Sequence, residues 1–140
     1  IATTVAQANI SENKYKHTLR GFHYQVAPFG ESKTMTIIKG RIHDIIVDLR
    51  EDSSTYLEWV SFDLSPDQRT SFHVPAGCAN AFLTMEDNTL VHYYSSFPFT
   101  ENAEKGIRYN DLFFKFDWPT KEPKHISDKD NNWPDFKLNS

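Results

Sequence analysis

The sequence predicts an all-β domain, and three observations carry that prediction. Aromatic residues make up 14% of the chain, with eleven Phe, six Tyr and three Trp, and such side chains suit the pleated surface of a sheet. The apolar residues fall mostly in short runs. Turn residues punctuate those runs at regular spacing, as in a sandwich or barrel.

Met35 to Ile38 is a short apolar-rich run ended by Lys39-Gly40, a turn signal. RIHDIIVDLR, Arg41 to Arg50, alternates: His43, Ile45, Val47 and Leu49 share one face, while Ile42, Asp44, Ile46 and Asp48 share the other. A strand with one apolar face and one carboxylate-bearing face can line a cavity on its second side. Strands are expected next over Tyr56 to Leu64, Thr70 to Val74, Asn80 to Met85 and Thr89 to Ser95, separated by turns at Ser65-Pro66-Asp67, Pro75-Ala76-Gly77 and Glu86-Asp87-Asn88. A short helix is expected over Glu101 to Lys105, ended by Gly106. From Asp117 onward the chain is polar and carries the pairs Trp118-Pro119 and Trp133-Pro134, which reads as a tail or lid over the sheets and not as a core element.

Length and charge narrow the function. At 140 residues the chain makes one domain with a real core. The formal net charge is -4, and no Lys/Arg run is long enough to track a phosphate backbone, so nucleic acid is not expected as a partner. The single cysteine, Cys78, excludes an internal disulfide framework and suits a reducing compartment. Within PAGCANAF it reads as a packed thiol. No apolar stretch reaches the length of a membrane span, and the start does not read as a signal peptide. The first residue is Ile rather than Met.

TLRGFHYQ, Thr18 to Gln25, sets His23 three residues after Arg20. Six histidines invite a metal reading, yet His17, His23, His43, His73, His92 and His125 are scattered without an H-x-H pair, so no metal is expected. Neither a G-x-S-x-G elbow nor a glycine-rich phosphate loop occurs. Acid–base chemistry without a cofactor remains. Taken singly, His23 would be structural, Lys33 a solvated edge lysine, Tyr93 core packing beside Val91, and Asp130 a loop residue or cap.

Their order along the chain says more. TLRGFHYQ is followed by Lys33 seven residues before Gly40, by IHDIIVDLRxxSxT from Ile42 to Thr55, and by VPAGCANAF. The Tyr93 strand comes next, then EKGIRYND from Glu104 to Asp111, FDWP and ISDKD. As an ordered set, from about Gln7 to Pro134, these words resemble the dTDP-4-dehydrorhamnose 3,5-epimerase family of cupin-fold sugar-nucleotide enzymes. The resemblance implies a cupin-type jelly roll with a short C-terminal tail, a nucleotide-sugar substrate and a cytoplasmic homodimer. It implies a metal-independent epimerase that inverts C5, C3 or both in a nucleotide-linked 4-keto-6-deoxy sugar. By the same resemblance His23 is the base, Asp130 the carboxylate that orients it, Tyr93 the acid on the opposite face, and Lys33 the cation at the enolate oxygen. Arg20 is the phosphate-binding arginine, Gln7 and Asn9 lie near the nucleotide, and Asp44 positions Lys33 or the group at position 80.

The chain departs from the family pattern at three places. Asn80 stands where a second active-site histidine is expected, and an amide can donate a hydrogen bond but cannot shuttle a proton at neutral pH. Phe99 and Tyr94 stand where Tyr and Lys are usual. Residues 1–140 are expected to form one domain that starts after the family's N-terminal segment, the part that reaches a partner subunit's nucleotide pocket. A non-catalytic sugar-nucleotide-binding cupin is the alternative reading; retention of His23, Lys33, Tyr93 and Asp130 favours activity.

Overall fold

The computed structural model describes residues 4–138. In chain order these form β1 (Gln7–Asn13), β2 (Thr18–Gln25), β3 (Lys33–Lys39), β4 (Ile42–Asp48), β5 (Trp59–Leu64), a single turn of 3-10 helix (Pro66–Gln68), β6 (Ser71–Val74), β7 (Cys78–Thr84), β8 (Thr89–Ser95), β9 (Glu104–Gly106), β10 (His125–Ile126) and α1 (Asp128–Asn131). The strands make two sheets. The smaller has the order β1-β8-β3-β6, and the larger β10-β2-β7-β4-β5, with β9 added to the edge of β2. Every ladder is antiparallel except the two-residue pairing of β10 with β2. Consecutive strands often lie in different sheets, so the chain is a double-sheet jelly roll of the cupin type.

Two apolar layers hold it together. Between the sheets, Met35 and Ile37 of β3, Ile42 of β4, Phe82 of β7 and Val91 of β8 pack with Leu64, Val74 and Cys78. On the outer face of the larger sheet, Phe22, Ile45, Val47, Ala79 and Ala81 pack with Ile107 and Phe114. Trp118 and Phe136 close over this second layer, and Phe22 stacks on Phe116 with ring centroids 4.5 Å apart. Burying one such large apolar side chain contributes on the order of 1.5–3 kcal/mol. The stretch from Asp117 is therefore a tail that also completes a core, which corrects the expectation that it adds nothing to one.

Both faces of β4 are thus covered. Asp44 is wholly buried among the inter-sheet apolar side chains, and the carboxylate face of this strand is not the polar cavity wall its alternation suggests. Three other expectations change. The segment Glu101 to Lys105 is not helical: Asn102 takes φ 70°, and Glu104, Lys105 and Gly106 pair with Gln25, Tyr24 and His23 at the open edge of β2. An unsatisfied sheet edge outweighs the weak helix signal there. Tyr56 and Leu57 belong to a turn, Leu57 at φ 68°, and the strand begins at Trp59. One four-residue helix, α1, lies in the tail, capped by Ser127.

Among the described residues no helix is long and apolar enough to cross a membrane. Cys78 is buried, and burial followed by the charge of Asp48 raises its thiol above the usual range. It is packed, as its surroundings in the sequence suggest.

Candidate active site

β2 carries the central residue. Its register with β7 shifts between Gly21 and His23, and Gly21 sits at φ +106° so close to β7 that a Cβ would lie 2.5 Å from the Asn80 carbonyl oxygen. Only glycine permits that approach. Around the shift, Phe22 turns into the outer layer and His23 into the space between the sheets.

α1 brings the partner. The Asp130 N–H donates to Ser127 Oγ at 3.1 Å, and this capped turn holds the Asp130 carboxylate buried against β2. His23 Nε2 lies 2.5 Å from Asp130 Oδ1. The Gly21 N–H donates to Oδ2 at 3.2 Å, and Trp133 Nε1 donates to Oδ1 at 3.3 Å. Burial works to raise the Asp130 carboxyl, but the hydrogen bond and charge of His23, joined by those two N–H groups, hold it below the ordinary range. Asp130 is a fixed anion that orients the His23 ring. Gly106 leaves room for the Trp133 indole, which a Cβ at that position would strike.

Tyr93 faces this pair from the other sheet. It lies on β8, opposite Asn9 of β1 and Met35 of β3. Burial first, and then the charge of Glu31, push its phenol up, with Arg20 opposing, so the hydroxyl stays protonated and can donate. Lys33 Nζ is 3.5 Å from Glu31 Oε1 and 5.7 Å from the centre of the Tyr93 ring.

His23, Lys33 and Tyr93 line two adjoining cavities, of about 220 and 400 Å³. Gln7 and Asn9 line the smaller; Arg20, Met35 and Asn80 line the larger. Gln7 Nε2 donates to Asn9 Oδ1 at 3.2 Å. Arg20 Nε donates to Asn13 Oδ1 at 2.6 Å and Nη2 to the Glu12 carbonyl at 3.3 Å, which leaves further guanidinium N–H groups for an anion. Asn80 Nδ2 meets Met35 Sδ at 3.2 Å. Asp44 stands behind this wall and lines neither cavity. The structure therefore brings seven of the nine anticipated residues to one cleft and sets Asp130 and Asp44 directly behind it.

The motifs did not single out Glu31, Glu104, Lys129 or Trp133. Glu104 Oε1 lies 4.0 Å from His23 Nε2 and 2.8 Å from Lys129 Nζ. Their signal was available, since Glu104 opens EKGIRYND and Lys129 precedes Asp130 in ISDKD. Phe99, exposed, lies at the mouth of the smaller cavity, where its N–H donates to Gln7 Oε1 at 3.2 Å. Among the described residues no three His, Cys, Asp or Glu side chains come together to hold a metal ion.

An imidazole held by a buried carboxylate on one wall, and a protonated phenol with a lysine beside it on the other, equip the cleft for proton removal and return across a substrate carbon. Known proteins resemble the chain as a whole. The family profile described as dTDP-4-dehydrorhamnose 3,5-epimerase matches residues 1–138. The dTDP-4-dehydrorhamnose 3,5-epimerase of Sinorhizobium fredii is 32% identical over 130 residues, which cover 93% of this chain and 67% of that one. A crystal structure of the Bacillus anthracis enzyme of that name, with TDP and PPi bound, superposes with a TM-score of 0.93 at 33% identity, covering 97% of this chain and 77% of that one. A Legionella pneumophila epimerase in complex with dTDP-4-keto-L-rhamnose gives a TM-score of 0.85 at 31% identity, over 93% of this chain and 68% of that one. The chain belongs to the dTDP-4-dehydrorhamnose 3,5-epimerase family.

Proposed function

We propose that this protein epimerises a nucleotide-linked 4-keto-6-deoxy sugar of the dTDP-4-keto-6-deoxyglucose type, inverting C5, C3 or both. The observation that carries this reading is the His23–Asp130 pair, 2.5 Å apart, set across the cleft from Tyr93. The dTDP-4-keto-L-rhamnose bound to the Legionella relative supports the substrate class.

A hydrogen on a carbon beside the C4 ketone is acidic because its electron pair can move onto the ketone oxygen. His23 Nε2–H donates to Asp130, so the other ring nitrogen, Nδ1, takes that proton, and Asp130 stabilises the imidazolium that forms. The enolate oxygen is stabilised by Lys33. Tyr93 then delivers its phenolic proton to the opposite face of the same carbon, the enolate pair returns to form the C–H bond, and the ketone is restored with inverted configuration. Proton exchange with solvent resets His23 and Tyr93. Arg20 holds the diphosphate, and Gln7 and Asn9 contact the nucleotide. The Asn80 amide donates to a sugar oxygen, and Asp44 supports the wall behind it. Protein groups alone carry out the chemistry in this scheme, so activity should survive exhaustive chelation. We place the protein in the cytoplasm as a homodimer; Ile10 and Tyr94, both exposed on the smaller sheet, would be covered by the second copy.

The test is deuterium uptake from heavy water into dTDP-4-keto-6-deoxyglucose, followed at C3 and C5 by NMR. Exchange with inversion names the carbon. His23→Ala should lower exchange by about 10²–10⁴-fold while dTDP binding stays nearly intact. A folded, dTDP-binding wild type that exchanges neither carbon overturns the reading in favour of a binding protein.

A further inference from the structure

Behind the cleft lies a polar cluster that the scheme above only partly uses. Asp44 and Asn80 sit on facing strands: Asp44 opposes Phe82 of β7, and Asn80 opposes Ile46 of β4. They are diagonal neighbours on one face of the larger sheet. Asp44 is wholly buried, and neither of its oxygens has a hydrogen-bond partner among the described residues. Asn80 is 8% exposed, its Oδ1 equally unpartnered, its Nδ2 spent on the weak acceptor Met35 Sδ. Three unmatched buried polar atoms within one layer of a sheet are far from the norm.

The surroundings decide what Asp44 can be. Phe62 opposes it from β5 and Phe82 from β7. Lys33 of β3 is the charged group that acts on it; among the described residues Asp44 and Lys33 form no ion pair with each other, and Lys33 pairs with Glu31 instead. Tyr93 of β8 is an un-ionised phenol, and Arg20 of β2 is turned toward Asn13 and Glu12. An ionised carboxylate in such a layer carries a desolvation cost that no donor offsets. Burial accordingly drives the Asp44 carboxyl well above the ordinary range, with Lys33 opposing. A neutral acid, by contrast, adds no second negative charge against Lys33 beyond that of Glu31. The amide at position 80 fits that state because it cannot become a cation. A histidine there could take the Asp44 proton and form an imidazolium–carboxylate pair.

We propose that Asp44 is a positioning residue held as a neutral carboxylic acid behind Asn80, and that the residue at position 80 decides this charge state, so that Asp44 adds no second anion beside Glu31 against Lys33 at the inner wall where the ketone oxygen becomes an enolate. The catalytic half of this rests on the epimerase reading; the charge state does not. Asn80 is thus a determinant of how the site holds its charge and not merely a lost histidine.

Infrared spectra of the full chain at neutral pH test the charge state without substrate. The wild type should show the carbonyl stretch of a buried neutral carboxyl, absent in Asp44→Asn and lost in Asn80→His, where Asp44 ionises. With dTDP-4-keto-6-deoxyglucose, Asp44→Leu should lose about tenfold or more in kcat with KM within about threefold, and Asp44→Asn should recover most of that loss. Asn80→His should add a titrating limb to the kcat–pH profile that the wild type lacks. A wild type without the neutral-carboxyl band overturns the proposal, as does an Asp44→Leu protein with unchanged kcat and pH profile. If no variant and no wild type exchanges deuterium, the epimerase reading fails and takes the catalytic half with it, while the infrared result still decides the charge state of Asp44.

Discussion

Asp44 and Asp48 lie four residues apart on the same face of β4, and both are buried. Their surroundings are opposite. Asp48 accepts from Arg50 Nε at 2.9 Å, Arg50 Nη2 at 3.1 Å and the Arg50 N–H at 3.0 Å. It also accepts from Ser53 Oγ at 2.5 Å and Thr55 Oγ1 at 2.6 Å. Those hydrogen bonds, led by Arg50, hold its carboxyl well below the ordinary range against the effect of burial. Asp44 has no donor at all among the described residues. One strand thus carries a carboxylate matched to the fold and another matched to nothing in it. Folding explains the first; the second is what the proposed role of Asp44 behind Asn80 would account for. Unsatisfied buried groups are tolerated where a site has a use for them.

The contrast breaks most visibly at Asp48. Asp48→Ala leaves the Arg50, Ser53 and Thr55 donors without their acceptor and loosens the turn that leads from β4 toward β5. The expected loss is about 3 kcal/mol of unfolding free energy, since hydrogen bonds to a buried charged group are each worth about 1.5–3 kcal/mol and share donors here. Urea denaturation followed by tryptophan fluorescence measures it. An effect below about 1 kcal/mol would mean that the network forms without stabilising the turn.

The two carboxyls also divide what could be read from sequence. The DLRxxSxT network was open to a local reading, since an Asp followed at short range by Arg, Ser and Thr is a local arrangement, although those residues were read only as one of the ordered words. Alternation in RIHDIIVDLR located β4, but could not reveal that the tail seals the face opposite Asp44, because Trp118 and Phe136 reach it from far along the chain. β1 went unseen for a related reason: Gln7, Asn9 and Ser11 are polar where a core-facing strand would be apolar, because they line the cleft. The helix expected over Glu101 to Lys105 failed to the need of the β2 edge for a partner. The site residues were legible only as ordered words. Nothing local in TLRGFHYQ says that Asp130, 107 residues away, will stand against His23.

Acid sharpens the comparison further. The depressed Asp48 carboxyl contributes stability that is fully present above the unfolded value of about 3.9 and is lost as pH falls below it toward the folded one. Asp44, raised, acts with the opposite sign: it costs nothing when both states are protonated, and its penalty grows as pH rises above about 3.9, where the unfolded chain ionises and the folded one does not. Asp48→Asn should therefore flatten the loss of stability between about pH 4 and 2, by roughly 1–2 kcal/mol across that range. Denaturation midpoints at successive pH values would show it; a slope equal to that of the wild type would place the acid sensitivity elsewhere.

The smallest effect is expected at Asp44, and its sign is the informative part. Asp44→Leu replaces an unpartnered carboxyl with an apolar side chain of similar reach, in contact with Phe62 and Phe82. Exchanging a buried unsatisfied polar group for packed hydrocarbon is commonly neutral or favourable, so the variant should gain about 1 kcal/mol at pH 7. The gain should shrink toward pH 3, where the wild-type penalty vanishes, and a thermal-melt series over that range resolves it. A variant that is more stable and slower would identify Asp44 as a group kept at the expense of the fold. A variant destabilised by more than about 1 kcal/mol would show that Asp44 finds a partner in solution and belongs, like Asp48, to the framework.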